Sequence, residues 1–236
     1  MPLAECGYCM GSKFLLFALL TLLTGSPWTA LLVVLALYLF LDYQYLGVAR
    51  SAVSHIKTAG EIRELRSDVE LNPHNASAQN DLGRLLILQG RAPEAVAPLE
   101  RAIERLDDLD ETNYYLGLAY LKTGRERDGV ARIEKALAIN PRFRYGEPYL
   151  RLGEHYLNNG RYQDALAMLK QQGEIHTSSV EGLYLLGETY RRMGDAAQAR
   201  DAYERSVAAF KQSPGYRRRQ ERRWFWRARL ALRRLG

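Results

Sequence analysis

Cysteine is nearly absent from these 236 residues: two occur, Cys6 and Cys9, both within the first ten positions. No disulfide can therefore staple the remainder, which excludes a cross-linked secreted scaffold and leaves packing as the source of stability. Histidine is sparse too, with His55, His74, His155 and His176 scattered outside any ligand spacing, so neither a metal site nor a cofactor is expected. Phosphate-binding glycine loops and serine nucleophile elbows are missing too. Nothing points to an enzyme. Charge is missing in two places. Residues 14–41 carry none, and residues 214–236 carry one acidic residue, Glu221, against nine arginines. That tail alone holds a charge of +8, so with a net charge of +6 the rest of the chain is slightly acidic, at −2. The basicity is a local device, and its partners should be acidic.

The uncharged stretch reads as lipid-soluble, interrupted by Thr24-Gly25-Ser26-Pro27. Its two arms, 14–23 and 28–41, are each shorter than the roughly 20 residues of a comfortable helical span. Two geometries fit: one long helix kinked at Pro27, or a helical hairpin turning at Gly25-Ser26-Pro27. Trp28, Tyr38, Tyr43 and Tyr45 match an interfacial aromatic belt. A cleaved signal sequence fits less well, because Lys13 is the only cation ahead of the apolar run and no Ala-x-Ala site follows. Arg50, Lys57, Arg63 and Arg66 follow the stretch, which places the remainder on the cytoplasmic side of an inner, cytoplasmic membrane. Cys6-Gly-Tyr-Cys9 could serve as a redox pair or half a zinc site, but Met10 is an alternative start that would delete both thiols.

A period governs residues 76–212. Leu-Gly pairs stand at Leu82-Gly83, Leu116-Gly117, Leu152-Gly153 and Leu186-Gly187, spaced by 34, 36 and 34 residues. Seven residues beyond each pair comes a second glycine, Gly90, Gly124, Gly160 or Gly194. Five further stands a small residue, Ala95, Gly129, Ala165 or Ala199, and four beyond that a bulky one, Leu99, Ile133, Leu169 or Tyr203. The pattern predicts two amphipathic helices folding back at the second glycine, which ends the first helix with a positive φ. Tyr120, Tyr156 and Tyr190 should fill the space between hairpins, and Pro73 and Pro141 should stop second helices. Units fall at about 76–109, 110–143, 146–179 and 180–212. Residues 48–75 form a connecting and capping helix with Ile62, Leu65 and Val69 on one face. Residues 213–236 form an Arg-rich capping helix, whose offsets at Phe225, Ala228 and Leu232 predict a helical run over 220–235.

These residues resemble the tetratricopeptide repeat, Trp-x2-Leu-Gly-x2-Tyr, Ala-x3-Phe, Pro. The resemblance covers about residues 76–210 and is to membrane-anchored proteins of bacterial type. Gln79, Asn113, Tyr149 and Leu183 depart from it at the Trp place, Leu86 at the Tyr place and Gly129 at the Ala place. It implies an all-α, right-handed solenoid of helical hairpins behind an N-terminal hydrophobic membrane segment. It also implies a scaffold that holds a partner peptide or helix in a concave groove lined by first helices. By register the groove positions are Asn80, Arg84, Leu88, Tyr114, Leu118, Lys122, Leu150, Glu154, Asn158, Tyr184, Glu188 and Arg191. Asn80 and Arg84 stand where the carboxylate-clamp subfamily has Lys and Asn, so that clamp is not reproduced.

The tail offers a second surface. Arg217, Arg218, Arg219, Arg222, Arg223 and Arg227 surround Trp224, Phe225 and Trp226, a composition suited to polyanions, with anionic lipid ahead of nucleic acid. The competing reading is a cap whose rings are core and whose arginines are solvated.

Overall fold

The computed structural model of the chain describes residues 26, 28, 29, 31–33, 35, 36 and 48–235. Cys6 and Cys9, most of the uncharged stretch, and with it the choice between kinked span and hairpin, lie outside the described residues. Among the described residues no helix is long and apolar enough to cross a membrane. The chain divides into two compact units, Met1–Arg63 and Glu64–Gly236. In the first, the described residues 28–36 are helical with exposed side chains, and Thr29 donates a 2.8 Å hydrogen bond to the Ser26 carbonyl.

From residue 48 onward the described residues form helices and turns without a strand. Helix α1 is Val48–Leu71, followed by α2 Ala76–Leu88, α3 Ala92–Leu106, α4 Asp110–Lys122 and α5 Glu126–Ile139. A short 3₁₀ turn, Phe143–Gly146, leads to α6 Glu147–Asn158, α7 Tyr162–Ile175, α8 Val180–Met193, α9 Ala196–Gln212 and α10 Gly215–Leu235. The helices pair in chain order, α2 with α3, α4 with α5, α6 with α7 and α8 with α9.

The spacing of the sequence is the geometry of these crossings. Gly90, Gly124, Gly160 and Gly194 have φ of 75, 85, 76 and 85°, the left-handed value that lets the chain reverse after each first helix. Each Leu-Gly glycine lies under the bulky residue of its second helix: a methyl at Gly83, Gly153 or Gly187 would meet Leu99, Leu169 or Tyr203 at 2.3, 2.7 or 2.6 Å. The second hairpin is closest of all. A methyl at Gly129 would stand 2.9 Å from the Gly117 carbonyl oxygen, so glycine replaces alanine there because two backbones meet. Asn72-Pro73 and Asn140-Pro141 end α1 and α5 as expected. Ile62 and Val69 are buried and Leu65 is half-buried.

Between hairpins, the Tyr120 hydroxyl donates to Glu100 on α3 at 2.7 Å, while the Arg125 guanidinium stacks 3.8 Å over its ring and pairs with Glu100 at 2.7 Å. Asp107, at the end of α3, is paired with Arg132 at 2.7 Å and with Lys135, both on α5. Its carboxylate therefore ties two hairpins together instead of serving a helix N-terminus, as Asp110 and Glu111 do in the first turn of α4.

The last helix differs from its expected register. It starts at Gly215, five residues before the predicted run, and buries Trp224, Ala228 and Ala231 while Phe225 is only half-buried. The reason lies in what it docks on. Ala228 meets Ala199 and Tyr203, Trp224 lies 5.3 Å from Tyr184 and Phe225 stacks on Phe210 at 4.4 Å, which rotates the helix by about one residue.

Candidate functional site: the concave face

The first helices α6 and α8, with α10 beside them, enclose two adjoining cavities of about 510 and 340 Å³. Trp224 lines both, so its indole is their common wall. The larger is bounded by Arg144, Glu147, Arg151, His176, Glu181 and Arg223, the smaller by Glu154, Asn158, Tyr184, Glu188, Arg192 and Arg227.

The predicted groove positions divide in two. Leu150, Glu154, Asn158, Tyr184 and Glu188 come together around these cavities. Arg191 is adjacent but turns to Glu188, pairing at 2.8 Å. In the first two hairpins the face is closed or flat. Asn80 and Leu118 are buried, Arg84 pairs with Asp81 at 3.1 Å, and Leu88 and Lys122 are exposed on no cavity. Tyr114 is not an open groove residue, being 1% exposed. The two-residue insertion that lengthens the second spacing to 36 falls at the four-residue turn Phe143–Gly146, which folds over it, with the Phe143 ring 5.4 Å from that of Tyr114. Arg144 and Tyr145 in this turn take left-handed φ of 47 and 58°. Such conformations cost about 1–3 kcal/mol each and persist only when other contacts impose them. Here Arg144 pairs with Glu147 at 2.8 Å and donates to the Tyr115 hydroxyl. Burial pushes the Tyr114 phenol far above its ordinary range, and its hydroxyl has no protein partner.

The electrostatics of the cavities are organised by one arginine. Arg151 reaches Glu154 at 2.7 Å, Glu181 at 2.8 Å and Glu147 at 3.8 Å, joining α6 to α8. Burial acts to lower its pKa, but the carboxylates of Glu181 and Glu154 prevail and raise it. On α8, burial acts to raise the Glu188 carboxyl, but hydrogen bonds from Arg191 and from the Tyr203 hydroxyl, at 2.5 Å, hold it below the usual range. Its folded pKa lies below the unfolded value of about 4.3, so its stabilisation is complete above that value and is lost as pH falls through the folded pKa. Glu188→Gln is expected to flatten the fall in melting temperature below about pH 4.5. Thermal melts between neutral and acid pH check this, and a variant as acid-sensitive as the parent would rule it out. Burial, then Arg217, lowers the pKa of His176, which leaves it neutral at physiological pH.

The six candidate arginines of the tail do not form one patch. Arg217 pairs with Glu221 at 2.8 Å, and Arg218 donates to the carbonyls of Ser213 and Lys211, capping the end of α9. Arg223 and Arg227 lie 4.5 and 4.9 Å from the Trp224 ring, at the cavities. Arg219 and Arg222 are exposed on the outward face. Glu221, which lines the larger cavity, also accepts from Ser213 at 2.6 Å and fixes the start of α10. Arg151 and Arg192 also line the cavities, although the groove register points to neither; Arg192 is next to Arg191 in the chain.

Comparison with known proteins agrees with this geometry. Models of the tetratricopeptide repeat match residues 62–111 and 156–221. A curated relative, the BBSome complex member BBS4 homolog of Drosophila melanogaster, is 29% identical over 164 residues, 65% of this chain. The chain spans about a third of that protein's length. Among solved structures, MamA superposes with a TM-score of 0.61 at 18% identity, covering 71% of this chain and 97% of MamA. YrrB, described as a TPR protein with an unusual peptide-binding site, gives 0.55 at 18%, covering 71% and 86%. Residues 62–111 and 156–221 thus carry tetratricopeptide repeats, within a stacked helical solenoid whose fold these solved structures share.

Proposed function

We propose that this chain is a non-enzymatic scaffold that holds a peptide or helix of a partner protein on its concave face, at the cytoplasmic surface of a membrane to which residues 14–41 tether it. The observation that carries the reading is the pair of adjoining cavities, together about 850 Å³, built from first helices and walled by the capping helix. Such a concavity is where a stack of this kind accepts an extended segment. A photo-crosslinking residue at Asn158, on the cavity rim, is expected to capture a partner in native membranes, whereas one at Glu204, exposed on the second helix α9, is not. Equal capture at both positions, or capture at Glu204 alone, would remove the concave face from consideration. The tether is tested on the same membranes: the full chain should resist alkaline extraction, and deletion of residues 14–41 should release it.

One observation favours a second surface. On α10, Trp226 and Leu230 are 56 and 50% exposed and share the outward face with Arg219, Arg222 and Arg233, without a carboxylate among them. An apolar ridge flanked by cations suits an anionic bilayer, to which each arginine contributes about 1 kcal/mol. Residues 48–235 should float with vesicles containing phosphatidylglycerol at low salt and be released at high salt. Salt-insensitive or absent flotation would exclude this surface.

A further inference from the structure

Carboxylates and guanidiniums around the two cavities are unequally committed. Every glutamate there has a cationic partner within the protein: Glu147 with Arg144, Glu154 and Glu181 with Arg151, Glu188 with Arg191, and Glu221 with Arg217. The guanidiniums are in excess. Arg192, Arg223 and Arg227 line the cavities and pair with no carboxylate among the described residues. Arg223 and Arg227 instead lie against the same indole, 4.5 and 4.9 Å from Trp224. Arg223 opens on the larger cavity and Arg227 on the smaller. A stacked guanidinium keeps its edge donors available for a bidentate carboxylate while its face stays on the ring.

From this we infer that the concave face selects an acidic peptide segment, which crosses the Trp224 wall and places carboxylates on Arg223 on one side and on Arg192 and Arg227 on the other. The inference rests on the concave face being the binding surface and adds the chemistry of what it takes. A basic or neutral segment leaves three cations uncompensated in a partly desolvated cleft, whereas Asp and Glu side chains complete the pairing already present at every other charge of the site. The carboxylates come from side chains along the segment, because the cations stand on both sides of the indole and a single terminal carboxylate reaches only one of them. Arg219 and Arg222, on the outward face of the same helix, take no part.

The test uses the full chain in detergent micelles and a fluorescein-labelled peptide of about ten residues alternating Glu and Leu, which extended reaches roughly 33 Å and so crosses both cavities. Counterparts with Gln or Lys in place of Glu complete the series. Fluorescence anisotropy should show the Glu peptide binding at least about tenfold more tightly than the Gln peptide, and the Lys peptide failing to bind. The affinity should fall as ionic strength rises from about 0.05 to 0.5 M. The double reversal Arg192→Glu, Arg227→Glu should weaken the Glu peptide by at least about tenfold, while Arg219→Glu, Arg222→Glu leaves it within about twofold. Both pairs are exposed, and an unchanged melting temperature and helical circular dichroism show that the variants stay folded. Equal binding of the Gln and Glu peptides overturns the acidic selection while the concave site itself stands. Loss on the outward reversal alone assigns the binding to a general polyanion surface and also overturns it. If none of the peptides binds, the acidic selection is wrong, and the Asn158 crosslink decides the fate of the concave site independently.

Discussion

Alanine at Gly117 is expected to destabilise the stack by about 3 kcal/mol, the upper part of the range for an overpacked core. The added methyl would lie 2.5 Å from Ile133 Cγ1, 2.8 Å from the Gly129 carbonyl oxygen and 3.0 Å from the Ile133 nitrogen. Two of these three atoms are backbone and cannot rotate away, so α4 and α5 must separate. At Gly83 the same methyl meets only the Leu99 side chain, whose three nearest atoms can shift to another rotamer. Gly83→Ala should therefore cost less, about 1–2 kcal/mol. Gly173 in α7 has nothing within 4 Å of its missing methyl, and there alanine should stabilise by about 0.5–1 kcal/mol through helix propensity. Urea unfolding followed by circular dichroism gives all three values. An order in which Gly83→Ala costs as much as Gly117→Ala would show that backbone proximity is not what these glycines serve.

The same crossings explain which features could be read from the residues alone. A glycine under a bulky side chain, a reversal with positive φ, and a small residue facing the crossing recur in four units, so each position is constrained by three others and the hairpins follow from the spacing. Features that occur once have no such constraint. The register of α10 is not legible in the residues because a wheel of alternating Arg, Trp and Phe offers two neighbouring buried faces, and only the docking of Trp224 on Tyr184 and of Ala228 on Tyr203 chooses between them. The burial of Tyr114 was hidden for the same reason. An insertion of two residues is visible in the spacing, but its left-handed Arg144 and Tyr145, which lay Phe143 over the neighbouring hairpin, are a tertiary outcome. Arginine side chains are longer still and sort by partner rather than by sequence. Adjacent residues such as Arg217, Arg218 and Arg219 become an ion pair, a helix cap and an exposed cation.

Trp224→Ala is expected to cost about 4 kcal/mol and to act locally. The indole is 5% exposed, packs on Tyr184 at 5.3 Å and supports two guanidiniums, so its removal leaves a cavity between α10 and α8. In a solenoid each hairpin touches only its neighbours, and stability is close to a sum of unit and interface terms. Loss of the cap should therefore raise amide exchange in α10 first and in α8 and α9 next, while α2 to α5 keep the protection of the parent. Trp224→Phe retains an aromatic face for Tyr184 and should recover roughly half of the loss. The variant also removes the wall between the two concave cavities, so a peptide held there under the proposed function should be released at a temperature where the first two hairpins remain folded. Hydrogen exchange resolved by segment separates these outcomes. A uniform rise across α2 to α10 would mean that the stack opens as one body, and the cap would then be a keystone of the whole fold instead of a local lid on its last hairpin.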